Sequence, residues 1–583
     1  MAHVPVVSDK MRYGLKPIAV ESKAHVLTLP CIGAASYDGD TSSTIVFRIQ
    51  HNPSGRYVDP QATKFKLTFS LTLPVGIKRS DAFFFERGPE SMIKRFQIKD
   101  VQGRILEDID NYNLVYAVTE ICTNEISTRQ ARDQFSMEGN DTWSDLGGWI
   151  RHPNQGFQNV FGPGDATQVI TFDVSFTPFS AVFGGACDKY IPLSVMEGME
   201  IWLYLENPQN VIKYQFIGFP VGRDGLAAAT ENAKAVSANN YFTSHKRRVA
   251  PDASQKGMNL FRGVANAAVN SVMWSNRKPT VVAGDGACTY SDRDATNGGL
   301  GANYSIAQDE GIYQWELTDS YRNQIKYTVS NPKILLSCLD VEPAVNNSLV
   351  EAAKDRSDKM IRIQTFSWTT YTTQILSSIS TGSYSWTIPV SVTSMKSIFF
   401  TLTDMANPNN ANYLKSGFEH RGLKQYRILI GGLPLNADWV TVQNDAHTTH
   451  TYSEAIGALM EAWSVHHKSD GNPSLITPQS YRPGMWNADT GMYQREYNAV
   501  FGQELESFSQ KSGLIQSGLN TMQTTFVLEL IFGGNTVQTT IDGAVTEEAI
   551  LYNSNHNYQL TAYVMYDKVI AFDENSGSIR AEY

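Results

Sequence analysis

Residues 391–440 read SVTSMKSIFFTLTDMANPNNANYLKSGFEHRGLKQYRILIGGLPLNADWV. Ile398, Phe399, Phe400 and Leu402 make a nearly continuous apolar run, which predicts a strand over 397–403. An Asn-rich loop with one proline follows, from Met405 to Lys415. A second strand is predicted from Tyr426 to Ile430, closed by Gly431-Gly432 and Pro434. Two aromatic and β-branched runs across a long polar loop suit a β-sandwich better than a tight hairpin. A weaker copy of this pattern lies earlier, where Met92 to Ile98 leads to Gly103 and then to Ile105-Leu106. Phe96-x-Ile98 and Tyr426-x-Ile428 each precede a glycine bend. The repetition points to two sandwiches of one plan in tandem.

Working outward, strands are expected over 44–49 and over 65–73, where apolar residues occupy every second position. Asn52-Pro53-Ser54-Gly55 is turn chemistry. After Asp110-Asn111 the period changes. Leu114, Ala117, Val118 and Ile121 fall at helical spacing behind an Asp/Asn cap. Residues 125–167 read as a long loop, followed by strands over 168–176 and 199–205. Alanine, asparagine, glycine and serine dominate 224–322, which reads as an interdomain insertion. Beyond it a strand bent at Pro332 is expected to open the second sandwich, followed by one over 361–368. Ser453 to Trp463 is the helix of this half, with Ile456, Leu459, Met460 and Trp463 on one face. Strands over 524–532 and 558–572 close the chain. The expected plan is an extended arm (1–24), a first sandwich (25–223), the insertion (224–322) and a second sandwich (323–583), each sandwich carrying one short helix.

At 583 residues the chain is too long for one ordinary core. Only 18% of residues are charged, below the usual quarter, which fits a surface covered by partners. With 27 Tyr, 27 Phe and 10 Trp, aromatics suffice for cores and interfaces together. The net charge of −10 opposes nonspecific attraction to nucleic acid, which needs clustered cations. Cys31, Cys122, Cys187, Cys288 and Cys338 are widely spaced and odd in number, so neither a disulfide framework nor a zinc site is expected. Sequons at Asn140, Asn303 and Asn346 match chance for this composition. The N-terminus lacks the apolar core of a signal peptide, and no run approaches the ~18 apolar residues of a membrane helix.

Catalytic patterns are scarce. His447 and His450 form an HxxH, with His466-His467 downstream, but no rigid ligand frame accompanies them. There is no GxSxG and no P-loop. Glu107, Asp108 and Asp110 precede the expected helix and suit its positive end rather than acid–base work. No catalytic, cofactor or metal site is assigned, and the chain reads as an interaction or assembly protein rather than an enzyme.

Several segments, in their order, resemble double jelly-roll major capsid proteins of the adenovirus/tectivirus lineage, most of all those of Polinton-like elements and adintoviruses. Met92 to Ile98 and Glu107-Asp108-Ile109-Asp110-Asn111-Tyr112-Asn113 resemble a first-roll strand and helix entry. Tyr190 to Leu193 with Gly198 to Ile201 resembles the last strand of the first roll, and Tyr327 to Val341 the opening strand of the second. Met395 to Ile398 and Tyr426 to Gly431 are similar to central strands of the second roll, and 517–521 and 566–570 to its close. The resemblance covers about two thirds of the chain; Asn436-Ala437-Asp438-Trp439-Val440 departs from the family's proline-rich continuation. It implies an all-β fold of two eight-stranded jelly rolls with long loop insertions. It also implies homotrimeric, pseudo-hexameric capsomers tiling an icosahedral shell around double-stranded DNA. The implied partners are other copies of the chain, penton and minor or cement proteins, and an inner membrane where one exists. No cofactor and no sequence-specific nucleic-acid contact is implied, and the location is the virion, assembled inside the host cell. The loops at 125–165 and 224–322 are expected to project outward or clamp neighbours.

The rival reading is a carbohydrate-binding sandwich or glycan-active enzyme, with Trp143, Trp149, Trp368, Trp386 and Trp439 as stacking platforms.

Overall fold

The computed structural model describes residues 22–123, 168–216, 304–317, 323–442, 453–464, 485–506, 518–549 and 557–582, apart from short internal stretches such as 74–80 and 406–414. Sixteen strands carry the architecture. The first eight are β1 (Ser22–Pro30), β2 (Thr44–Gln50), β3 (Arg56–Leu73), β4 (Ile93–Asp100), β5 (Ile105–Asp110), β6 (Gln168–Phe176), β7 (Gly198–Leu205) and β8 (Lys326–Val341). They form two facing sheets in the orders β1-β8-β3-β6 and β2-β7-β4-β5. The second eight are β9 (Met360–Ile375), β10 (Gly382–Ile388), β11 (Met395–Asp404), β12 (Leu423–Ile430), β13 (Leu433–Pro434), β14 (Val500–Glu504), β15 (Phe526–Phe532) and β16 (Tyr558–Asp573). Their orders are β9-β16-β11-β14 and β10-β15-β12-β13.

Counted within each set, both sandwiches read 1-8-3-6 facing 2-7-4-5. Strand 1 pairs with 8, 2 with 7, 3 with 6 and 4 with 5, the nesting obtained when one long antiparallel hairpin is wrapped around a core. β3 shows why these residues make these strands. Phe65, Leu67, Phe69, Leu71 and Leu73 are buried in alternation with Lys66, Thr68, Ser70 and Thr72. Phe69 stacks on Tyr327 of β8 with ring centroids 5.2 Å apart.

That stacking marks a correction. The strand ending at Val341 was expected to open the second sandwich; instead it is the eighth strand of the first. It pairs with β1 from Ser22↔Val341 to Pro30↔Lys333, and with β3 on its other side. Its Tyr327, Val329, Ile334, Leu336 and Cys338 fill the first core. Gly198–Leu205 is therefore the seventh strand, not the last. Residues 206–325 are a connection inside the first sandwich rather than an interdomain insertion. The link to β9 runs through helix α2 (Pro343–Ala353), which no periodicity announced. The bend expected at Pro332 is a bulge. Asn331 takes φ 48, the register slips between Ser330 and Lys333, and the Asn331 N–H donates to the Ala35 carbonyl at 3.0 Å.

The internal duplication has a structural counterpart. Phe96 and Ile98 lie on β4, Tyr426 and Ile428 on β12, the fourth strand of each sandwich, and all four are buried. The turns that follow use Gly103 (φ 84) and Gly431-Gly432 (φ 59 and 83), left-handed positions that favour glycine. Helices α1 (Tyr112–Thr123) and α3 (Ser453–Ser464) each follow the fifth strand.

Alternating strand direction sends odd and even connections to opposite ends. Connections 2–3, 4–5 and 6–7 are 51–55, 101–104 and 177–197 in the first sandwich, and 389–394, 431–432 and 505–525 in the second. The other end receives 74–92, 111–167 and 206–325, then 405–422, 435–499 and 533–557, the longer set when the residues at each end are summed. Each seventh-to-eighth connection holds a two-stranded hairpin, Tyr304–Asp309 with Ile312–Leu317 and Thr536–Ile541 with Ala544–Ala549. Of the expected projecting loops, 125–165 and most of 224–322 lie outside the described residues, as do residues 1–21 of the arm; its last three residues open β1. Among the described residues no helix is long and apolar enough to cross a membrane.

Candidate functional site at the seam between the sandwiches

Edge strand β5 of the first sandwich packs against edge strand β9 of the second. Glu107 on β5, opposite Ile98 of β4 in register, is wholly buried at the edge where β9 of the second sandwich packs. Its Oε1 accepts from the Ser367 hydroxyl of β9 at 2.6 Å and from the Ala181 N–H at 2.7 Å. The Thr365 hydroxyl of β9 donates to the Ala181 carbonyl at 2.7 Å. Burial raises the Glu107 carboxyl above its ordinary range, against the opposing pull of Lys568 and the Ser367 bond. Buried Lys568 on β16 is depressed by desolvation, opposed by Glu107 and Asp108. Beside this cluster Trp368 lies 6.0 Å from Phe179 of the first sandwich and 5.6 Å from Phe399 of the second, centroid to centroid.

Toward the long-connection end a second cluster crosses the seam. Lys415 meets Glu206 at 2.5 Å, and Glu206 also accepts from Asn113 (3.0 Å), Asn210 (3.1 Å) and the Asn207 N–H (3.0 Å). Burial alone would raise Glu206, but Lys415 and these bonds outweigh it and hold the carboxyl below its usual value. Glu86 accepts from the Ser416 N–H and pairs with buried Lys213 at 3.2 Å. Desolvation depresses Lys213, and Glu86 works against it. Arg87 donates to the Ser416 hydroxyl at 3.3 Å. At the opposite, short-connection end the Glu197 N–H donates to the Gly577 carbonyl at 2.8 Å. Long connections meet long and short meet short, so the sandwiches stand side by side with the same polarity.

These carboxylates and cations are engaged by fixed donors and acceptors on both sides. Such an arrangement fixes the orientation of one sandwich against the other, since any other angle would leave buried charge unpaired.

The residues singled out in the sequence scatter. His447, His450, His466, His467, Cys288, Trp143 and Trp149 lie outside the described residues. Among the described residues no group of three or more His, Cys, Asp or Glu could hold a metal ion. Cys122, Cys187 and Cys338 are buried free thiols, and Cys31 is partly exposed. Trp368 is 2% exposed at the seam, and Trp439 lies beneath the Arg427 guanidinium at 4.2 Å. Asn346 of one sequon is buried against Ser194. Glu107, Asp108 and Asp110 do not serve the helix. They lie on β5, Glu107 in the seam and Asp108 bonded to Arg95 at 2.8 and 2.5 Å. Sequence reasoning missed Glu206 and Lys415, which lie in connections, and Lys568 on β16, because a lone charged residue reads as solvated until its buried partners are known.

The fold aligns with a solved structure over nearly the whole chain. A chain of the Sputnik virophage particle aligns with a TM-score of 0.51 at 10% identity, over 100% of this chain and 93% of that one. The fold is a double jelly roll. The PBCV-1 virus capsid gives 0.47 at 9% identity (98% and 99% covered), and the mavirus major capsid protein 0.44 at 10% identity (100% and 95%). No protein-family model and no curated protein matches the chain.

Proposed function

We propose that this chain is the major capsid protein of an icosahedral double-stranded DNA virus, with a structural rather than catalytic role. In this reading three copies form a pseudo-hexameric capsomer. The supporting observation is which edges the seam consumes. It uses the fifth strand of the first roll (β5) and the first strand of the second (β9). Their counterparts, β13 and β1, keep an outer edge with no strand partner among the described residues. Val26 on β1 is 63% exposed. An open edge of this kind is a template for another chain. Repeating the seam between copies, β13 of one against β1 of the next, is a heterologous contact that grows head to tail until it closes. Closure at six rolls takes three copies. The first roll then runs to Val341 and the second begins at Met360, with α2 as the link.

The likeness to a chain of the Sputnik virophage particle supports the shell assignment. Penton and minor or cement proteins, an inner membrane and the virion location belong to the same reading. The net charge of −10 leaves genome condensation to other proteins. The test is chemical cross-linking of the double variant Val26→Cys, Asp438→Cys with a bifunctional maleimide. A covalent trimer band that needs both cysteines supports the reading. Cross-linking that stays within one chain, in a protein that remains monomeric at high concentration, opposes it.

A further inference from the structure

Exposed apolar side chains are not scattered evenly. Of the eleven large ones exposed among the described residues, seven lie at the short-connection end. Four of these occupy matching places in the two rolls. Ile105 and Leu433 each open the fifth strand of their roll; Val101 lies in the turn before the first of these, and Leu435 just past the second, where its N–H donates to the Ile428 carbonyl of the fourth strand. Tyr190 and Met522 stand in the two sixth-to-seventh connections. The seventh, Leu349, is on α2, whose Asn346 touches Ser194 of the first roll at the same end. Leu433 is 73% exposed and Met522 57%. Their neighbourhood is tied together, since the Gly431 N–H donates to the Thr525 carbonyl at 2.9 Å. Ile105 begins the seam strand yet stays half-exposed, so this tip lies outside the roll-to-roll contact. Apolar residues grouped at one end in duplicate mark a surface that something covers.

The chain itself carries a fitting occupant. β1 starts at this end, where Ser22 pairs with Val341 and the Val341 N–H donates to the Gly55 carbonyl. Residues 1–21 therefore enter the fold at the edge of this face. They hold two apolar blocks, Val4-Pro5-Val6-Val7 and Leu15 to Val20. Twenty-one residues reach up to about 70 Å extended, while a four-stranded sheet is only ~20 Å wide. Both rolls of one copy, or the facing roll of the next, fall within reach.

We propose that the apolar face at the short-connection end is the docking site of residues 1–21 of this chain. The proposal does not depend on the trimer, because its readout is local. Single variants Leu433→Cys and Met522→Cys are made in the full chain and in the chain lacking residues 1–21. Maleimide modification is followed peptide by peptide by mass spectrometry, so that native cysteines do not interfere. Leu376→Cys, 51% exposed at the far end of β9, is the control. Truncation is expected to speed modification at 433 and 522 at least fivefold and to leave 376 unchanged. A full-length chain carrying Val6→Asp and Ile18→Asp is expected to behave like the truncated one, which keeps the test decisive should truncation impair folding. Slow modification in both forms would mean that another copy or partner covers the face. Fast modification in both would mean that nothing does. Either result overturns the proposal.

Discussion

Lys415→Met should destabilise the protein through the seam, and adding Glu206→Gln to it should cost little more. The Lys415–Glu206 pair is 2.5 Å long, with side chains 25% and 5% exposed. Breaking a fully buried ion pair by removing one partner costs about 3–5 kcal/mol. Lys415 is a quarter exposed, and solvent screening lowers its share to ~2 kcal/mol. Glu206 keeps its bonds from Asn113, Asn210 and the Asn207 N–H, which limits the loss further. The double variant should cost about as much as either single one, a coupling of roughly 2 kcal/mol. For a unit of this size that is a fall of about 4–8 °C in Tm for each single variant, read by calorimetry of the full chain. Acid should act in the same direction. Glu206 is held below its ordinary value of 4.5, so its contribution is complete above that pH and is lost as pH falls through the lowered value. Glu206→Gln should flatten that acid limb. Single-variant costs that add to within 0.5 kcal/mol would refute a Lys415–Glu206 clamp across the seam.

Glu107 titrates in the opposite sense. Its raised value means that the fold loses stability as pH rises from about 4.5 through that value, so Glu107→Gln should flatten stability against pH above 4.5 in chemical denaturation. Trp368→Ala removes the aromatic bridge between Phe179, Phe399 and Trp463 and should cost ~3–5 kcal/mol by the same method. Gly502→Ala would place a methyl group 2.8 Å from Leu459 and 3.0 Å from Phe399, and should cost ~1–3 kcal/mol while loosening α3, visible as faster hydrogen exchange over 453–464. Asn331→Val, a β-branched residue at φ 48, should lower Tm where Asn331→Gly does not.

Strand identity was legible wherever one face is buried. The alternation over 65–73 and the apolar run at 398–402 reappear as β3 and β11. The duplicated Phe96/Ile98 and Tyr426/Ile428 pattern was legible too, because the fourth strand and its glycine turn do the same work in both rolls. Partnership was not legible. Lys326–Val341 announces a strand, but nothing local says that it returns across a 120-residue connection to lie between β1 and β3. Its alternation would serve either core equally, and pairing is a non-local property. The seam was hidden for a related reason. Glu107, Lys568 and Glu206 are charged residues that a sequence reads as solvated, and their burial and their partners across the seam are set by contacts far apart in the chain.

The central claim is that one chain supplies two of six equivalent positions in a ring. The most direct test is the mass of the purified full-length protein by light scattering, with electron-microscope imaging of the same peak. The account predicts three times the 64.8 kDa chain mass and a six-lobed ring. A single-chain mass persisting at high concentration, with particles showing only two lobes, would contradict it.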